Sequence, residues 1–176
     1  MSAGCMNPTG PLVQLVTGPE KEIFVAHKEL LAKHSPFFKN ALCEPWKEAI
    51  SNVIELPDSD PVVVAVFLEW VYTQKYIAPH MALDLYIFGD KYQISLLETE
   101  ALRALFSHWA MWNEKTGRYD VVAENLPTAE IIHHALDHLP TTSKLLDMIR
   151  DIQANLNAYT PTRRNWPAIK EARSRL

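Results

Sequence analysis

Apolar residues near the start of the chain follow the period of strands. Leu12 to Thr17 and Ile23 to Ala26 are short runs rich in β-branched residues, and the dipeptide Gly18-Pro19 lies between them. Such runs, separated by turn residues, predict two strands joined by a turn. Val53 to Leu56 is a similar run and predicts a third strand.

Residues 62–72 are ambiguous between strand and helix. Their valine content favours a strand, but eleven residues is long for one. Asp60 is a good N-cap residue, and Pro61 fits the first turn of a helix. We therefore predict a helix here.

Helical spacing dominates the remaining sequence. Ser35-Pro36 is typical of a helix start, and Ser95 with Glu98 forms a capping box before a further apolar helix. Thr128 can cap a helix that Pro140 ends. An apolar stripe predicts a last amphipathic helix, and its members are Leu145, Ile149, Ile152 and Leu156.

Composition limits the chemistry that the chain can host. With 176 residues and 48% apolar side chains, it is long enough to bury one core. Its five glycines are scattered and form no phosphate-binding loop of recognisable spacing, which excludes those nucleotide-binding classes. The two cysteines, Cys5 and Cys43, form neither a disulfide framework nor a thiolate metal cage. We therefore expect a reducing intracellular setting, in the cytoplasm or the nucleus.

The hydropathy pattern predicts no membrane segment. The longest uninterrupted apolar run, residues 62–68, has seven residues. A helix that spans a bilayer needs about 20. Residues 1–11 lack the basic and apolar regions of a signal peptide, so we expect no secretion.

The net charge of −4 is unevenly distributed, because residues 160–176 contain five basic residues and one acidic residue. A basic tail can bind an anionic partner or serve as a nuclear signal. Its charges are interrupted by Trp166, Pro167 and Ala168, so a solvated terminus is the favoured interpretation. We predict no direct contact with nucleic acid.

Three histidines are the best candidates for metal ligands. His134 and His138 are four residues apart and would share one face of a helix, beside His133. No carboxylate or cysteine stands at a recognised ligand spacing, so solvated or capping histidines are favoured over a zinc site. No serine stands in a G-x-S-x-G motif either. We therefore expect a non-enzymatic protein without a cofactor, and a metal-dependent enzyme is the least favoured alternative.

Trp46 stands out among the aromatic residues. It lies between Pro45 and the charged pair Lys47-Glu48, so exposure to solvent is favoured over burial. Exposed aromatic side chains anchor many protein interfaces.

The run from Ile23 to Phe38, with its segments His27-Lys28 and Ser35-Pro36-Phe37-Phe38, resembles the signature of BTB/POZ domains. Three further segments that match the family follow in its order, at residues 53–57, 67–73 and 89–92. The resemblance spans residues 12–109. It is closest to the stand-alone BTB proteins of filamentous fungi.

The resemblance implies an α+β fold of the BTB/POZ type, a small three-stranded sheet flanked by a cluster of helices, here with an α-helical C-terminal extension. It also implies that His27 is a structural residue at the junction of strand and helix. The organisation we predict is a flexible N-terminus at residues 1–11, a BTB/POZ domain at 12–109, a helical extension at 110–159 and a basic tail at 160–176.

The function that the resemblance implies is protein–protein association, through self-assembly, corepressor docking or adaptor binding to the cullin scaffold of ubiquitin ligases. Cullin adaptors in the family have an apolar-x-Glu motif before the third strand, and Trp46-Lys47-Glu48 occupies that place, with Glu48 seven residues before Glu55. Tyr72 matches the tyrosine of the family's Tyr-Thr-Gly segment, in which Gln74 replaces the glycine.

These observations define three hypotheses. The favoured one is an interaction module that serves as a cullin adaptor and binds its partner through Trp46, Glu48 and Tyr72. The second is a homo-oligomerising or transcription-regulatory scaffold that does not bind a cullin. The third, from another functional class, is the metal-dependent enzyme based on His133, His134 and His138.

Overall fold

A computed structural model describes residues 10–43, 45–115 and 118–154. Predictions for other residues, including the basic tail at 160–176 and Leu156, lie outside the described part. The described elements, in chain order, are β1 (Leu12–Thr17), β2 (Glu22–His27), α1 (Lys28–His34), α2 (Pro36–Ala41), α3 (Lys47–Ser51), β3 (Val53–Leu56), α4 (Pro61–Thr73), α5 (Pro79–Lys91), α6 (Ser95–Trp109), β4 (Ala110–Asn113), β5 (Arg118–Val121), a 3-10 turn (Ala123–Asn125), α7 (Ala129–His138) and α8 (Lys144–Ala154).

The three predicted strands form one sheet, in the order β2-β1-β3, which confirms the α+β class. β1 pairs antiparallel with β2 across the turn at Gly18-Pro19, and Gly18 adopts a left-handed φ of 66° that favours glycine. β3 pairs parallel with β1, with Leu15 opposite Ile54.

One face of this sheet is buried and the other is exposed. Strands expose alternate residues, and Val13, Leu15 and Ile54 are buried on the inner face. The outer face is also partly apolar, since Leu12, Ile23 and Val25 are all exposed on it.

The helix predicted over residues 62–72 is confirmed as α4. Pro61 occupies its first turn, and the Asp60 side chain accepts a hydrogen bond from the backbone N–H of Val62 at 2.7 Å. The cap and the proline therefore select helix over strand, despite the valine content. Phe67 and Trp70 on α4 are buried.

Four buried aromatic rings form the interior of the first of two compact units, which comprises the residues up to Tyr76 and Phe88–Leu97. The ring of Phe38 is stacked on those of Phe67 and Tyr92, with centroids 6.1 and 5.6 Å apart. Phe88 lies 4.9 Å from Phe67 and 4.5 Å from Tyr92 between centroids. The cluster joins α2, α4 and α5, and aromatic pairs of this kind add about 0.5–1.5 kcal/mol each beyond their buried area.

The second unit comprises Ile77–Ile87 and the residues from Glu98 onward. The predicted amphipathic helix is confirmed as α8, on which Leu145, Ile149 and Ile152 are buried. α8 packs against α7. These two helices make up most of the described chain from Ala129 to Ala154, and a helical C-terminal extension is what the resemblance implied. Among the described residues, no helix is long and apolar enough to cross a bilayer.

A two-stranded hairpin, β4-β5, is a feature that the sequence did not predict. It lies at the start of the range predicted as helical extension, residues 110–159. Ala110 continues α6 without a break, and no turn residue marks the change to a strand. The hairpin is stabilised by tertiary contacts instead, with the Tyr119 ring 5.0 Å from that of Phe106 and Val122 N–H donating to the Trp109 carbonyl at 2.8 Å.

Gln74 ends α4 in the left-handed conformation, with φ of 51° and ψ of 30°. It is the residue that replaces the glycine of the family's Tyr-Thr-Gly segment. Its backbone N–H and side-chain Nε2 both donate to the Trp70 carbonyl, at 2.7 and 3.1 Å. These bonds close the helix end, but the left-handed conformation is strained for a residue with a Cβ.

We predict that Gln74→Gly raises the free energy of unfolding by about 0.5–1 kcal/mol, because glycine relieves the left-handed strain. Urea unfolding followed by circular dichroism measures it. The matched control is Gln14→Gly in β1, which should destabilise the fold, since glycine weakens the interior of a strand. Equal destabilisation by the two changes would contradict a strained position at Gln74.

Candidate functional site

An open groove of about 530 Å³ lies in the first unit between α2, α3 and β3. Its lining mixes apolar and polar side chains from all three elements. The described residues that form it are Phe37, Asn40, Ala41, Trp46, Lys47, Glu48, Ile54, Glu55, Pro57 and Gln93.

The wall formed by α2 is positioned by Ser35. Its Oγ accepts a hydrogen bond from the backbone N–H of Phe38 at 3.0 Å, which caps α2 as predicted. The same hydroxyl donates to the carbonyl of Tyr92 at 2.6 Å. One buried side chain therefore fixes α2 against the turn after α5, where Gln93 contributes to the groove.

The wall formed by α3 is anchored at its C-terminal end. Asn52 ends the helix in the left-handed conformation, with φ of 57°, and its backbone N–H donates to the Glu48 carbonyl. The Asn52 carbonyl in turn accepts from the Gln14 N–H at 2.9 Å. α3 is thereby attached to the middle strand of the sheet, and asparagine tolerates this conformation better than most residues.

Trp46 and Glu48 lie together in this groove. Trp46 is the N-cap residue of α3 and is 61% exposed, so its predicted exposure is confirmed. The carboxylate of Glu48 is 3.8 Å from the Lys47 ammonium, and its side chain is about one-quarter exposed. An exposed indole beside a half-buried carboxylate can bind an apolar side chain and a hydrogen-bond donor from one partner.

Tyr72 is placed elsewhere and is not among the described residues that line the groove. It lies on α4 and is 42% exposed. Its hydroxyl is 2.6 Å from Nδ1 of His27 and accepts a hydrogen bond from the His27 backbone N–H at 3.1 Å. His27 occupies the N-cap position of α1, at the junction with β2, and its side chain binds Tyr72 rather than capping the helix. This agrees with the structural role that the resemblance implied for it.

The three candidate metal-binding histidines are placed on α7. His134 Nε2 lies 3.0 Å from Asp84 Oδ1, and His138 Nδ1 contacts the His134 carbonyl at 2.9 Å. Within the described ranges, no group of three or more histidine, cysteine or carboxylate side chains is arranged to hold a metal ion. His134 and His138 thus have hydrogen-bonding partners within the fold.

The sequence did not identify the α2 and β3 sides of the groove. Phe37, Asn40 and Glu55 line it, yet they are separated along the chain and reach it only through tertiary packing. The one sequence feature that could have indicated the α2 side of the groove is the Ser35-Pro36-Phe37-Phe38 segment. Its serine and second phenylalanine are buried while Phe37 lies half-buried at the groove.

Comparison with known proteins shows which family and which relatives this chain is similar to. A family model described as "BTB/POZ domain" matches residues 13–108. TD and POZ domain-containing protein 4 of Mus musculus is 29% identical over 167 residues, which are 92% of this chain and 40% of that protein. BTB/POZ domain-containing protein At4g08455 of Arabidopsis thaliana is 32% identical over 81 residues, 46% of this chain and 33% of that protein. The chain thus spans well under half the length of these curated relatives.

Among solved structures, the BTB domain of zebrafish PATZ1 is similar to this chain, with a TM-score of 0.45 and 21% sequence identity. The match covers 54% of this chain and 75% of that chain.

The sheet, its cluster of helices and the family match together define a small α+β interaction domain. The chain belongs to the BTB/POZ domain family. BTB/POZ domains mediate protein–protein interaction and self-association, so this chain is a protein-interaction module.

We predict that Tyr72→Phe lowers the free energy of unfolding by about 0.5–1.5 kcal/mol, because the His27 backbone N–H loses its acceptor. The control is Tyr76→Phe at a more exposed tyrosine, for which a change within about 0.5 kcal/mol is expected. Urea denaturation of both variants measures the difference. If the two variants were equally stable, the hydrogen bond to His27 would contribute nothing to the free energy of unfolding.

Proposed function

We propose that the groove between α2, α3 and β3 is a partner-binding site and that the chain is an adaptor for a cullin-type ubiquitin ligase. The observation that carries this proposal is the placement of Trp46 and Glu48 in one groove, in the order of the family's apolar-x-Glu motif. The sequence alone supplied the match to that motif. The groove adds a concave surface in which a partner side chain can bind next to Trp46 and Glu48.

The indole of Trp46 is the proposed anchor. A side chain that is 61% exposed before binding has a large apolar area to bury, and tryptophan is enriched among the residues that dominate interface energies. Ile50, one helical turn further along α3, is exposed as well. The two residues extend the apolar surface beyond the groove along α3.

Glu48 is the proposed specificity residue. Its carboxylate is partly buried in the groove wall, where a hydrogen bond with a charged acceptor is stronger than one in open water. The neighbouring Lys47 ammonium is largely exposed and only 3.8 Å away, so a partner's donor can replace it at little cost.

Tyr72 has a different role in this proposal. Because its hydroxyl is engaged by His27, it offers a partner the exposed part of its ring rather than a free hydroxyl. Its contribution to cullin binding is therefore smaller than that of Trp46.

The adaptor proposal predicts that the N-terminal domain of the BTB-binding cullin binds the chain with micromolar or tighter affinity in calorimetric titration. Trp46→Ala should weaken the affinity by about 2 kcal/mol or more, which is about thirtyfold in Kd. Glu48→Gln should weaken it by a smaller amount, because the hydrogen-bonding shape remains and the charge is lost.

The matched control is Met111→Ala, which removes a similarly exposed apolar side chain from the hairpin β4-β5. It should bind the cullin domain as tightly as the unmodified chain does. Circular dichroism of each variant verifies that it is folded. Failure of the unmodified chain to bind would refute the adaptor function, and equal loss in Trp46→Ala and Met111→Ala would refute the site.

A second candidate function, homo-oligomeric assembly without a cullin, is favoured by the outer face of the sheet. Leu12, Ile23 and Val25 expose apolar side chains on that one face, and exposed apolar surface marks contact surfaces. A transcription-regulatory scaffold of this type would have a mass of two or more chains by light scattering, with no dependence on Trp46.

Three finer assignments are also proposals: the subtype of BTB protein, the domain limits and the cellular location. The relatives named above are from mouse and Arabidopsis, and kinship with the stand-alone fungal BTB proteins stays a prediction from the sequence. The domain limits of 12–109 and an intracellular location, in the cytoplasm or nucleus, likewise stay predictions.

A further inference from the structure

A second open groove, of about 690 Å³, lies in the second unit. Its lining comes from α5, the end of α6, the 3-10 turn with the loop after it, and the start of α7. A volume of this size is typical of binding sites in folded proteins. The groove is therefore large enough to hold side chains of a partner.

Hydrogen bonds connect the elements that form this second groove. Asn125 Nδ2, in the 3-10 turn, donates to the His108 carbonyl of α6 at 3.0 Å. His134 Nε2 on α7 is 3.0 Å from Asp84 Oδ1 on α5. The groove is thus formed before a partner binds, and a preformed surface loses less entropy on binding than a flexible one.

Much of the lining is apolar. Leu83, Leu105 and Trp109 contribute side chains that are buried. Leu126 and Ile131 are half-buried, so part of each side chain remains open to solvent. An apolar side chain of a partner that covers these two residues removes apolar surface from water, which is the dominant favourable contribution to most protein association.

Three carboxylates line the same groove, and we call it the acidic groove after them: Asp84 from α5, Glu124 from the 3-10 turn and Glu130 from α7. Asp84 is paired with His134, whereas Glu124 and Glu130 are exposed to solvent. The described lining includes histidines but no lysine or arginine. A groove with this charge attracts basic partners and repels acidic ones.

We propose that the acidic groove binds a peptide segment of another protein in which large apolar side chains lie between basic residues. The apolar side chains of the segment cover Leu126 and Ile131, and its lysine or arginine side chains face Glu124 and Glu130. The partner is a protein because the family mediates protein–protein interaction. This inference does not depend on the cullin proposal, which concerns the groove of the first unit.

Fluorescence anisotropy with labelled synthetic peptides tests the chemistry of the partner. The basic probe is Lys-Arg-Gly-Trp-Leu-Gly-Lys-Arg, and it should bind the full-length chain with a Kd of about 100 µM or lower. The acidic probe, with glutamate in place of every basic residue, should not bind. A third probe, with alanine in place of tryptophan and leucine, should bind about tenfold or more weakly. Failure of the basic probe to bind, or equal binding of the basic and acidic probes, would overturn the proposal.

A charge reversal tests the site of the basic contacts. Glu124→Lys with Glu130→Lys should lose binding of the basic probe and gain binding of the acidic one. The matched control is Glu20→Lys with Glu22→Lys, which changes the net charge equally at exposed positions of the first unit and should leave both affinities unchanged. An equal effect of the two double changes would assign the binding to net charge and would refute the site.

A milder change at the same positions guards against a folding defect. Glu124→Gln with Glu130→Gln should weaken binding of the basic probe by about threefold to tenfold, since two exposed ion pairs are lost. Circular dichroism verifies that each variant is folded. Unchanged affinity in this folded variant would contradict the contacts with Glu124 and Glu130.

A pair of single variants tests the apolar contact and separates the two grooves. Leu126→Ala should weaken binding of the basic probe by about fivefold, because apolar area is lost from the contact. Trp46→Ala, in the groove of the first unit, should bind the probe as tightly as the unmodified chain does. Equal loss in Leu126→Ala and Trp46→Ala would show that the probe binds outside the acidic groove, and the inference would be wrong.

Discussion

The packing of four aromatic rings is the constraint on which the first unit depends. Phe38 from α2 is stacked on Phe67 of α4 and on Tyr92 after α5, and Phe88 completes the cluster. These residues are distant along the chain, so α2 acquires a fixed position only when the rings are packed. The cluster also positions the groove wall, because Phe37, next to Phe38, lines the groove. The centroid of the Phe37 ring is 5.1 Å from that of Tyr92.

Polar groups buried around this cluster determine how the rings are oriented. Tyr92 uses its backbone carbonyl for Ser35 and its hydroxyl for Ser59, at 2.6 and 2.8 Å. A buried hydroxyl without a partner is costly, and so these pairs exclude alternative packings of the same rings. The groove between α2, α3 and β3 is consequently formed on a well-packed frame, and a preformed surface loses less entropy on binding than a flexible one.

Local signals made much of the fold predictable. The caps at Ser35 and Asp60, the alternation in β1 and the stripe on α8 each depend on near neighbours in sequence, and each is confirmed. Features that depend on distant neighbours were missed: the hairpin β4-β5, whose first strand follows α6 without a turn signal, and the α2 and β3 sides of the groove. For Tyr72, the resemblance gave a binding role, whereas the bond to His27, 45 residues away, adds a structural one that no local pattern shows.

We propose that partners bind this chain at the groove between α2, α3 and β3. The most direct test is an NMR titration of the isotope-labelled chain with the cullin N-terminal domain. We expect the largest shifts in amide signals at Asn40, Trp46, Glu48 and Glu55. Shifts concentrated instead on the outer face of the sheet, at Ile23 and Val25, would contradict it.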